Sequence, residues 1–390
     1  MKNLLQASKD LHPQIIEWRR HFHKHAELSF CEFETSDFIE AQLKSFGNVE
    51  IFRPTKTGVI GKIHGAKPGP TIAFRADIDA LPMTEVNDLP YASVNKGAMH
   101  SCGHDGHAAI LLGLAKMVSE RVDALCGTVV FIFQHAEELP PGGAAEMVAA
   151  GVMEGIDEIY GLHLSSNYPI GKFGCVNGAL TSATDSFDVR VIGKGGHSSL
   201  PEQCVDPIVM AAQIILGLQN IAARRISAYE TAVLSVCQIS GGDAYNIIPG
   251  EVMLRGSVRT FSKELRDRIP AMISEISNGI AASMGGSCEV TYTRGYDSVI
   301  NDAALTDGAR AAISDYFGSD AVLEIQPVMP GEDFSAFTEV GCPGTFIEIG
   351  TRNSEKGTDR PHHNPAYLMD EDGLYYGLGF FASIVEKKMM

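Results

Sequence analysis

The order of strand-like and helix-like segments is the feature that most constrains how this chain can fold. Apolar runs typical of buried strands, such as 127–134 and 158–164, alternate with segments of helical periodicity, such as 105–119. Because apolar runs bounded by turns and amphipathic periodicity mark strands and helices respectively, the alternation predicts an α/β domain with a buried sheet.

A different order of segments interrupts this pattern between residues 184 and 296. There the chain reads strand, helix, strand, strand, helix, strand, which is the order of a ferredoxin-like sandwich. After this stretch the first pattern returns. We therefore predict a discontinuous α/β domain over 1–183 and 297–390, with an inserted ferredoxin-like α+β domain over 184–296, which suits a length of 390 residues.

The charge balance and the cysteine pattern limit the partners and the compartment. A net charge of −17 disfavours nucleic acid, whose phosphates need lysine and arginine, and it disfavours anionic membranes as well. The eight cysteines are scattered without a CxxC pair, and the N-terminus lacks the apolar core of a signal peptide. We also expect no run of about 18 apolar residues that could span a bilayer. These features predict a cytoplasmic protein that binds neither nucleic acid nor membrane.

The sequence MHSCGHDGH at residues 99–107 concentrates side chains that bind divalent metals. Cys102, His104 and His107 supply a thiol and imidazoles, and Asp105 supplies a carboxylate. The glycines between them let the backbone turn tightly, so that side chains two residues apart can converge. The alternative is a helix N-terminus in which Asp105 caps the helix and the histidines face solvent.

Two adjacent glutamates, Glu137 and Glu138, follow the apolar strand 127–134 and precede a Gly/Pro loop. Ligands bind at the carboxyl ends of strands in an α/β sheet. Adjacent carboxylates repel unless a cation or a proton separates them. One glutamate binding a metal and the other acting as a general base would resolve that repulsion, whereas a solvated acidic loop is the alternative.

Histidines and aspartates occupy similar positions elsewhere in the chain. His163 ends another apolar strand, and His362 and His363 precede a Pro-bounded turn. Asp77 and Asp79 leave a strand just before the cysteine–histidine cluster. We interpret Asp79 as a carboxylate that orients a histidine ligand, while no role for Asp77 follows. Taken singly, His163 is equally explained as a hydrogen-bonded core residue, and His362 and His363 as part of a surface loop. Their placement after strands or in loops at one sheet edge favours a shared metal site.

Seven motifs occur in order along nearly the whole chain: DIDALP, CGHDGH, EE followed by PGGA, GLH, GGHSSLP, NIIPG and HHNP. This set resembles the amidohydrolase branch of the aminoacylase/carboxypeptidase metallopeptidase family. That branch includes hippurate hydrolases, N-acyl-amino-acid deacylases, N-acetyl-diaminopimelate deacetylases and plant auxin-conjugate hydrolases. The resemblance implies a two-metal, exopeptidase-like catalytic domain over 1–183 and 297–390, and a lid domain over 184–296 that mediates dimerisation.

The resemblance also implies a set of metal ligands. The matching residues are Cys102, His104, Glu138, His163 and His363. His363 is preferred to His362 because the family's ligand directly precedes the Asn-Pro-like turn. The expected cofactor is two divalent metal ions per subunit. Because Asp77 and His104 stand where other branches have a histidine and a bridging aspartate, zinc, manganese, nickel and cobalt all stay open.

The remaining roles come from the same resemblance. Glu137 maps to the general base. His197 matches a lid histidine that reaches the neighbouring subunit's active site and stabilises the oxyanion, which implies a homodimer through the lid. Asn246 matches an asparagine that contacts substrate or oxyanion, and Arg259 an arginine that can hold a substrate carboxylate. Without the resemblance, His197 would be a turn residue, Asn246 a turn residue at the edge of a strand, and Arg259 a charged residue on the surface of a strand.

Together these assignments predict an enzyme that acts on a small molecule. It would hydrolyse the amide bond of N-acyl amino acids, such as N-acetyl or N-benzoyl conjugates, to a carboxylate and a free amino acid. A metallo-dipeptidase or carboxypeptidase of the same superfamily is the first alternative, and a non-catalytic metal-binding dimerisation module is the second. A serine hydrolase is disfavoured because the chain lacks a GxSxG motif.

Overall fold

The computed structural model describes residues 4–390, which form two compact units. The larger one, named the sheet unit, contains the chain up to Leu180 together with Val299–Pro327 and Asp333–Met390. The inserted unit contains Thr181–Ser298 and Val328–Glu332. A discontinuous α/β fold with an inserted α+β domain, as predicted, is confirmed.

The short segment Val328–Glu332 clusters with the inserted unit, although the sequence-based boundaries assigned all of 297–390 to the first domain. Hydrogen bonds explain the difference. Ser182 N donates to the Pro330 carbonyl at 3.3 Å, and Ser182 Oγ donates to the Met329 carbonyl at 2.6 Å. Contacts between segments so far apart in the chain leave no signal in local periodicity.

The strands of the described residues are, in chain order, β1 (Glu50–Phe52), β2 (Val59–His64), β3 (Lys67–Asp77), β4 (Cys126–Gln134), β5 (Glu158–Pro169), β6 (Phe173–Cys175), β7 (Gly178–Ala179), β8 (Ala183–Ile192), β9 (Gly196–His197), β10 (Ala232–Ser240), β11 (Ile247–Ile248), β12 (Glu251–Thr260), β13 (Ser287–Arg294), β14 (Ile300–Asn301), β15 (Val322–Glu324) and β16 (Gly344–Arg352). The α-helices are α1 (Leu4–Lys24), α2 (Phe33–Phe46), α3 (His104–Ser119), α4 (Gly143–Ala149), α5 (Pro207–Asn220), α6 (Lys263–Ser283), α7 (Ala303–Phe317), α8 (Ser335–Glu339) and α9 (Gly373–Met389).

The sheet unit is built on one mixed sheet of order β1-β2-β4-β3-β5-β16-β6-β15. Its central strands β4, β3, β5 and β16 run parallel, so their carboxyl ends meet at one edge. Alternate residues of β3 enter different cores. Ile72 and Phe74 pack with residues of α1, α3 and α9, whereas Ala73 packs with Met147 of α4. Burial on both faces is why the central residues of these strands are mostly apolar.

The inserted unit has a four-stranded antiparallel sheet of order β10-β12-β8-β13, whose core includes residues of α5 and α6. In chain order the strands of this sheet are β8, β10, β12 and β13. The last, β13, lies beside the first, β8, and the third, β12, separates β8 from β10, as in a ferredoxin-like sandwich. Phe187, Val189 and Val191 enter this core at alternate positions of β8. Such alternation is typical of a strand that buries one face.

Helix α5 and the π-helical turn that follows it form an apolar stretch, Pro207–Arg225. By length and composition alone this stretch is apolar enough to cross a membrane, so the expectation that no such run exists is wrong. One face of the helix, with Met210, Ile214 and Leu218, packs in the core of the inserted unit. Burial of that face accounts for much of its apolar composition.

Candidate metal centre

Parallel strands of the sheet unit bring the predicted metal ligands to one place. His163 lies in β5, Glu138 follows β4, and Cys102 and His104 lie where the chain enters α3. Donor atoms of Cys102, His104 and Glu138 lie within 4.8 Å of one another, as do those of Cys102, His163 and His362. Because the two groups share Cys102, these side chains form one cluster, named here the metal cluster.

Two non-glycine residues beside the metal cluster have a left-handed backbone. Ala136, directly before the glutamate pair, has φ 50°, and His363 has φ 58°. Such a conformation costs about 1–2 kcal/mol at a residue with a Cβ, and it persists where surrounding contacts fix it. Gly143 N donates to the Ala136 carbonyl at 3.0 Å, and His363 N donates to the Ser101 carbonyl at 2.9 Å. The backbone at both positions is therefore tied to neighbouring segments.

His104 has one ring nitrogen held and the other available. Its Nδ1 lies 3.0 Å from the Asp79 carbonyl oxygen and 3.2 Å from Asp79 Oδ1. Its Nε2 is buried and has no hydrogen-bond partner among the described residues. Asp79 Oδ2 also accepts from Ser29 Oγ at 2.7 Å and from Glu138 N at 3.0 Å. These contacts support the orienting role predicted for Asp79 and leave the Nε2 lone pair of His104 for a metal ion.

Asp77, for which the sequence suggested no role, holds His107. Asp77 Oδ1 lies 2.6 Å from His107 Nδ1, and His107 Nε2 accepts the backbone N–H of Leu164 at 2.9 Å. Both ring nitrogens of His107 are therefore engaged, although the donor atoms of Asp77, His104 and His107 lie within 4.8 Å of one another. We assign His107 to the support of the metal cluster rather than to metal binding.

The adjacent histidines His362 and His363 face different members of the metal cluster. His362 Nδ1 lies 4.0 Å from Cys102 Sγ, and its Nε2 accepts from Ser166 N at 3.4 Å. His363 Nε2 lies 3.1 Å from Glu138 Oε1. The structure thus brings both histidines to the cluster, and the choice of His363 as the ligand stays a prediction.

Burial sets the charge of the sulfur and nitrogen donors in the absence of a cation. Burial, with Glu138 and Glu137, raises the pKa of the Cys102 thiol well above its usual value. Burial also lowers the pKa of His163 and brings that of His362 to about 3, so both imidazoles are neutral. A bound metal would reverse the first effect, because it favours the thiolate.

The donors fit a divalent transition metal. The cluster combines a thiol, imidazoles and a carboxylate, which together suit zinc and its neighbours. Burial disfavours the charged form of His104, but Asp77 and Asp79 outweigh it and raise the pKa of His104 to about 10. This raised pKa reports a surplus of negative charge that a cation would balance.

The predicted lid residues all lie in the inserted unit. His197 is in β9, which pairs with β11, and Ser198 N donates to the Asn246 carbonyl at 3.0 Å. The structure therefore brings His197 and Asn246 together. Ser199 Oγ lies 2.7 Å from His197 Nδ1 at the exposed surface. Arg259 lies on a different strand, β12, and is half-buried.

Three buried polar residues that the sequence analysis did not single out lie at the glutamate loop. Arg75, Gln134 and Asp333 are each exposed by 2% or less. A carboxylate oxygen of Asp333 lies within 4.8 Å of one of Glu137, and burial raises the pKa of Asp333 to about 6. An arginine inside the apolar strand β3 was a signal for the first of these residues. Asp333 lies in a loop and gave none.

The family of the chain follows from a match to known sequences. The model for peptidase family M20/M25/M40 matches residues 73–387, which span the metal cluster and the inserted unit. The chain belongs to peptidase family M20/M25/M40. Membership agrees with the order of motifs and with the two-unit fold.

Individual relatives place this M20 chain more narrowly. An N-acyl-L-amino acid amidohydrolase of Geobacillus stearothermophilus is 49% identical over 287 residues, which cover 74% of this chain and 78% of the relative. An N-acetylcysteine deacetylase of Bacillus subtilis (strain 168) is 40% identical over 380 residues, 97% of each chain. The crystal structure of the Bacillus subtilis YXEP protein, a dinuclear metal binding peptidase from the M20 family, has a TM-score of 0.85 at 37% identity and covers 97% of this chain and 98% of that one. The chain thus lies in the amidohydrolase branch of the family.

Proposed function

We propose that this M20 chain is a metal-dependent amidohydrolase that cleaves N-acyl amino acids to a carboxylate and a free amino acid. The observation that carries the proposal is the meeting of Cys102, His104, Glu138 and His163 at one sheet edge, with Glu137 near enough to help raise the pKa of the Cys102 thiol. The names of the two curated relatives, both enzymes that act on N-acylated amino acids, support this substrate class.

The proposed cofactor is a pair of divalent metal ions, and its identity among zinc, manganese, nickel and cobalt is left to experiment. Cys102, His104, Glu138, His163 and His363 would hold the ions. When bound, such ions polarise a carbonyl and make water more acidic, which is the chemistry that amide hydrolysis needs. The pairing of ions is supported by the dinuclear relative.

Glu137 is the proposed general base. It is 7% exposed, and it is near enough to Cys102 to contribute to the raised pKa of that thiol. It would take a proton from the attacking water and later deliver that proton to the leaving amine. Arg259 would pair with the free α-carboxylate of the substrate through a charge-assisted hydrogen bond.

A homodimer would complete the site. His197 and Asn246 would contact the developing oxyanion, with His197 supplied by the partner subunit. The inserted unit offers a surface for a second copy: β10 is an edge strand, and Val233 and Ile239 on it are exposed, as are Val209 and Leu216 on α5. An exposed apolar edge strand is a template for pairing with another chain.

The cytoplasm is the proposed location, and a small-molecule N-acyl amino acid the proposed partner. All eight cysteines, each within residues 4–390, carry free thiols. A ligand thiolate at Cys102 has to stay reduced, which a cytosolic compartment favours. The net charge of −17 supports the absence of nucleic-acid and membrane partners.

A substrate panel tests this function. Chelated protein is supplied again with Mn²⁺ or Zn²⁺ and given N-acetyl amino acids, N-benzoyl amino acids and dipeptides, and the released amine is measured. We expect the N-acyl amino acids to give the highest kcat/KM. Faster release from dipeptides would favour the metallo-dipeptidase or carboxypeptidase, and metal binding without any release would favour a non-catalytic module.

A further inference from the structure

A buried polar network beside the glutamate loop has no part in the steps proposed above. At its centre is the guanidinium of Arg75, which donates through Nε to Gln134 Oε1 at 2.7 Å. Its Nη1 donates to Asp77 Oδ2 at 2.7 Å, and its Nη2 donates to Asp333 Oδ1 at 2.8 Å. One side chain of β3 therefore joins three acceptors from three segments of the sheet unit.

Asp333 brackets the loop that carries the glutamates. It accepts from Gln134 Nε2 at 2.8 Å and from Ala144 N at 3.1 Å. Gln134 is the last residue of β4, and Ala144 lies in the first turn of α4. Glu137 and Glu138 lie between these two points, so the same carboxylate fixes both ends of their loop.

The guanidinium of Arg75 is also connected, through Asp77, to His107. Asp77, which pairs with Arg75, also holds His107, and His107 in turn accepts the N–H of Leu164. Leu164 directly follows His163 in β5. The network therefore runs without interruption from the glutamate loop to the strand that carries a predicted metal ligand.

Buried ion pairs are a weak source of stability, because apolar residues of similar volume do as well or better. A fully hydrogen-bonded buried network does, however, fix the relative positions of the segments it joins. We propose that Arg75 and Asp333 are positioning residues that hold the Glu137–Glu138 loop against β3 and β5, and so set metal affinity and the placement of Glu137. This inference rests on the metal site of the proposed function.

The test replaces Asp333 by an isosteric amide. In Asp333→Asn an amide NH₂ meets the donors of Arg75, Gln134 or Ala144, so the loop loses an anchor. Loss of a group that orients ligands typically weakens metal binding by about 10–100-fold, and misplacement of a catalytic group by about 1 Å can lower the rate by about 10²-fold. We expect weaker Zn²⁺ binding in competition with a chromophoric chelator, a lower kcat and a nearly unchanged KM.

Asp185→Asn is the matched control. Asp185 is likewise buried and accepts from an arginine (Arg266), from a second side chain (Tyr292) and from a backbone N–H (Gly295), but it lies in the inserted unit. We expect this variant to lose a comparable buried pair and to keep the Zn²⁺ affinity of the unaltered protein. Equal Zn²⁺ affinity in Asp333→Asn, Asp185→Asn and the unaltered protein would overturn the positioning role.

A milder variant keeps the inference testable if Asp333→Asn does not fold. Gln134→Met removes one donor and one acceptor from the network while keeping the side-chain volume, and we expect a smaller loss of Zn²⁺ affinity in the same direction. The Co²⁺-substituted proteins give a second readout, because altered ligand positions change the visible absorption of the ion. Unaltered protein that binds none of Zn²⁺, Mn²⁺, Ni²⁺ and Co²⁺ would refute the proposed function itself, whereas normal binding with insensitive variants would refute only the positioning role.

Discussion

His104 and His107 lie one turn apart at the start of α3 and yet have different chemistry. The Asp79 contacts engage Nδ1 of His104 and leave its Nε2 lone pair, whereas His107 uses one nitrogen on Asp77 and the other on the Leu164 N–H. The hydrogen bond made by one ring nitrogen determines what the other can bind. At the scale of the residue, hydrogen bonding rather than residue type therefore distinguishes the predicted ligand His104, whose Nε2 has no hydrogen-bond partner among the described residues, from His107.

Glu137→Gln should separate metal binding from catalysis. The amide cannot accept a proton, so we expect kcat to fall by about 10²–10⁴-fold or more, while metal content stays unchanged because Glu137 is not a predicted ligand. Elemental analysis and kcat for an N-acetyl amino acid measure the two effects. The control is Glu120→Gln, an exposed glutamate just after α3, and unchanged turnover in Glu137→Gln would remove the mechanism.

Single alanine variants of His362 and His363 decide which of them is a ligand. His363 Nε2 lies 3.1 Å from Glu138 Oε1, and we expect His363→Ala to lose one of the two ions. His362 already accepts a hydrogen bond from Ser166 N. His362→Ala should therefore keep both ions, with an affinity lowered by at most about 10–100-fold. Metal analysis after dialysis gives the stoichiometry, and the reverse pattern would move the ligand to His362.

The choice between these two histidines could not be made from the sequence. Cysteine, histidine and glutamate in ordered motifs were enough to locate the metal cluster, because few other groups bind such metals. Adjacent residues of a turn have equal claims until the backbone is known, and the positive φ of His363 has no sequence signature at a non-glycine residue. The contact of Asp77 with His107 and that of Asp333 with Arg75 were missed because the partners are distant in the chain.

At the scale of the element, a buried ion pair joins α1 to the start of α3. Arg19 Nε lies 2.8 Å from Asp105 Oδ2, and His23 Nδ1 lies 2.8 Å from the same oxygen. Burial disfavours the charged carboxylate, but Arg19 and His23 outweigh it and lower the pKa of Asp105. Asp105 follows the predicted ligand His104 directly, so this pair fixes the helix end that carries His104.

Asp105→Asn should destabilise the fold. Breaking a buried pair by removing one partner costs about 3–5 kcal/mol. The pKa of Asp105 is lower in the folded than in the unfolded protein. Its contribution to the free energy of unfolding is therefore present above the unfolded pKa of about 4, and it is lost progressively as the pH falls below that value. Urea unfolding of the metal-free protein should show this cost at pH 7 and a smaller one in acid.

Asp123→Asn is the control for this measurement. Asp123 is an exposed aspartate of the same unit, and its replacement should change the free energy of unfolding by no more than about 0.5 kcal/mol. An Asp105→Asn variant that unfolds at the same urea concentration as this control would show that the pair does not stabilise the junction of α1 and α3.

The elements themselves were largely predictable. The order of strands and helices in the inserted unit followed from periodicity, because β8 and α6 each bury one regular face. The affiliation of Val328–Glu332 was not predictable, since only its hydrogen bonds to Ser182 assign it to that unit. Apolar composition was also an unreliable guide for Pro207–Arg225, where one face packs in the core of the inserted unit while Val209 and Leu216 are exposed.

At the scale of the whole molecule, the proposed mechanism requires two chains. The predicted oxyanion group His197 and the predicted base Glu137 belong to different units, and the resemblance assigns the working His197 to the partner. We propose that the exposed apolar residues of β10 and α5 form the surface for that partner. Activity should therefore be a property of the dimer.

Mixing two inactive variants tests this arrangement. Glu137→Gln and His197→Ala each remove one group from every site of a homodimer. If His197 acts on the partner's site, a mixed dimer has one complete site of its two. Because half of the dimers in an equal mixture are mixed, exchange of subunits should restore up to about a quarter of the activity. Reconstituted mixtures that stay as inactive as either variant would show that His197 acts within its own chain or not at all.

We propose that this chain is a hydrolase because it holds two cations. The proposed ligands are Cys102, His104, Glu138, His163 and His363. Elemental analysis of chelated protein during stepwise addition of Mn²⁺ or Zn²⁺, with amine release from an N-acetyl amino acid measured at each step, tests it most directly. We predict activity that is absent without metal and complete at two ions per chain. Full activity in the metal-free protein would refute a metal-dependent hydrolase.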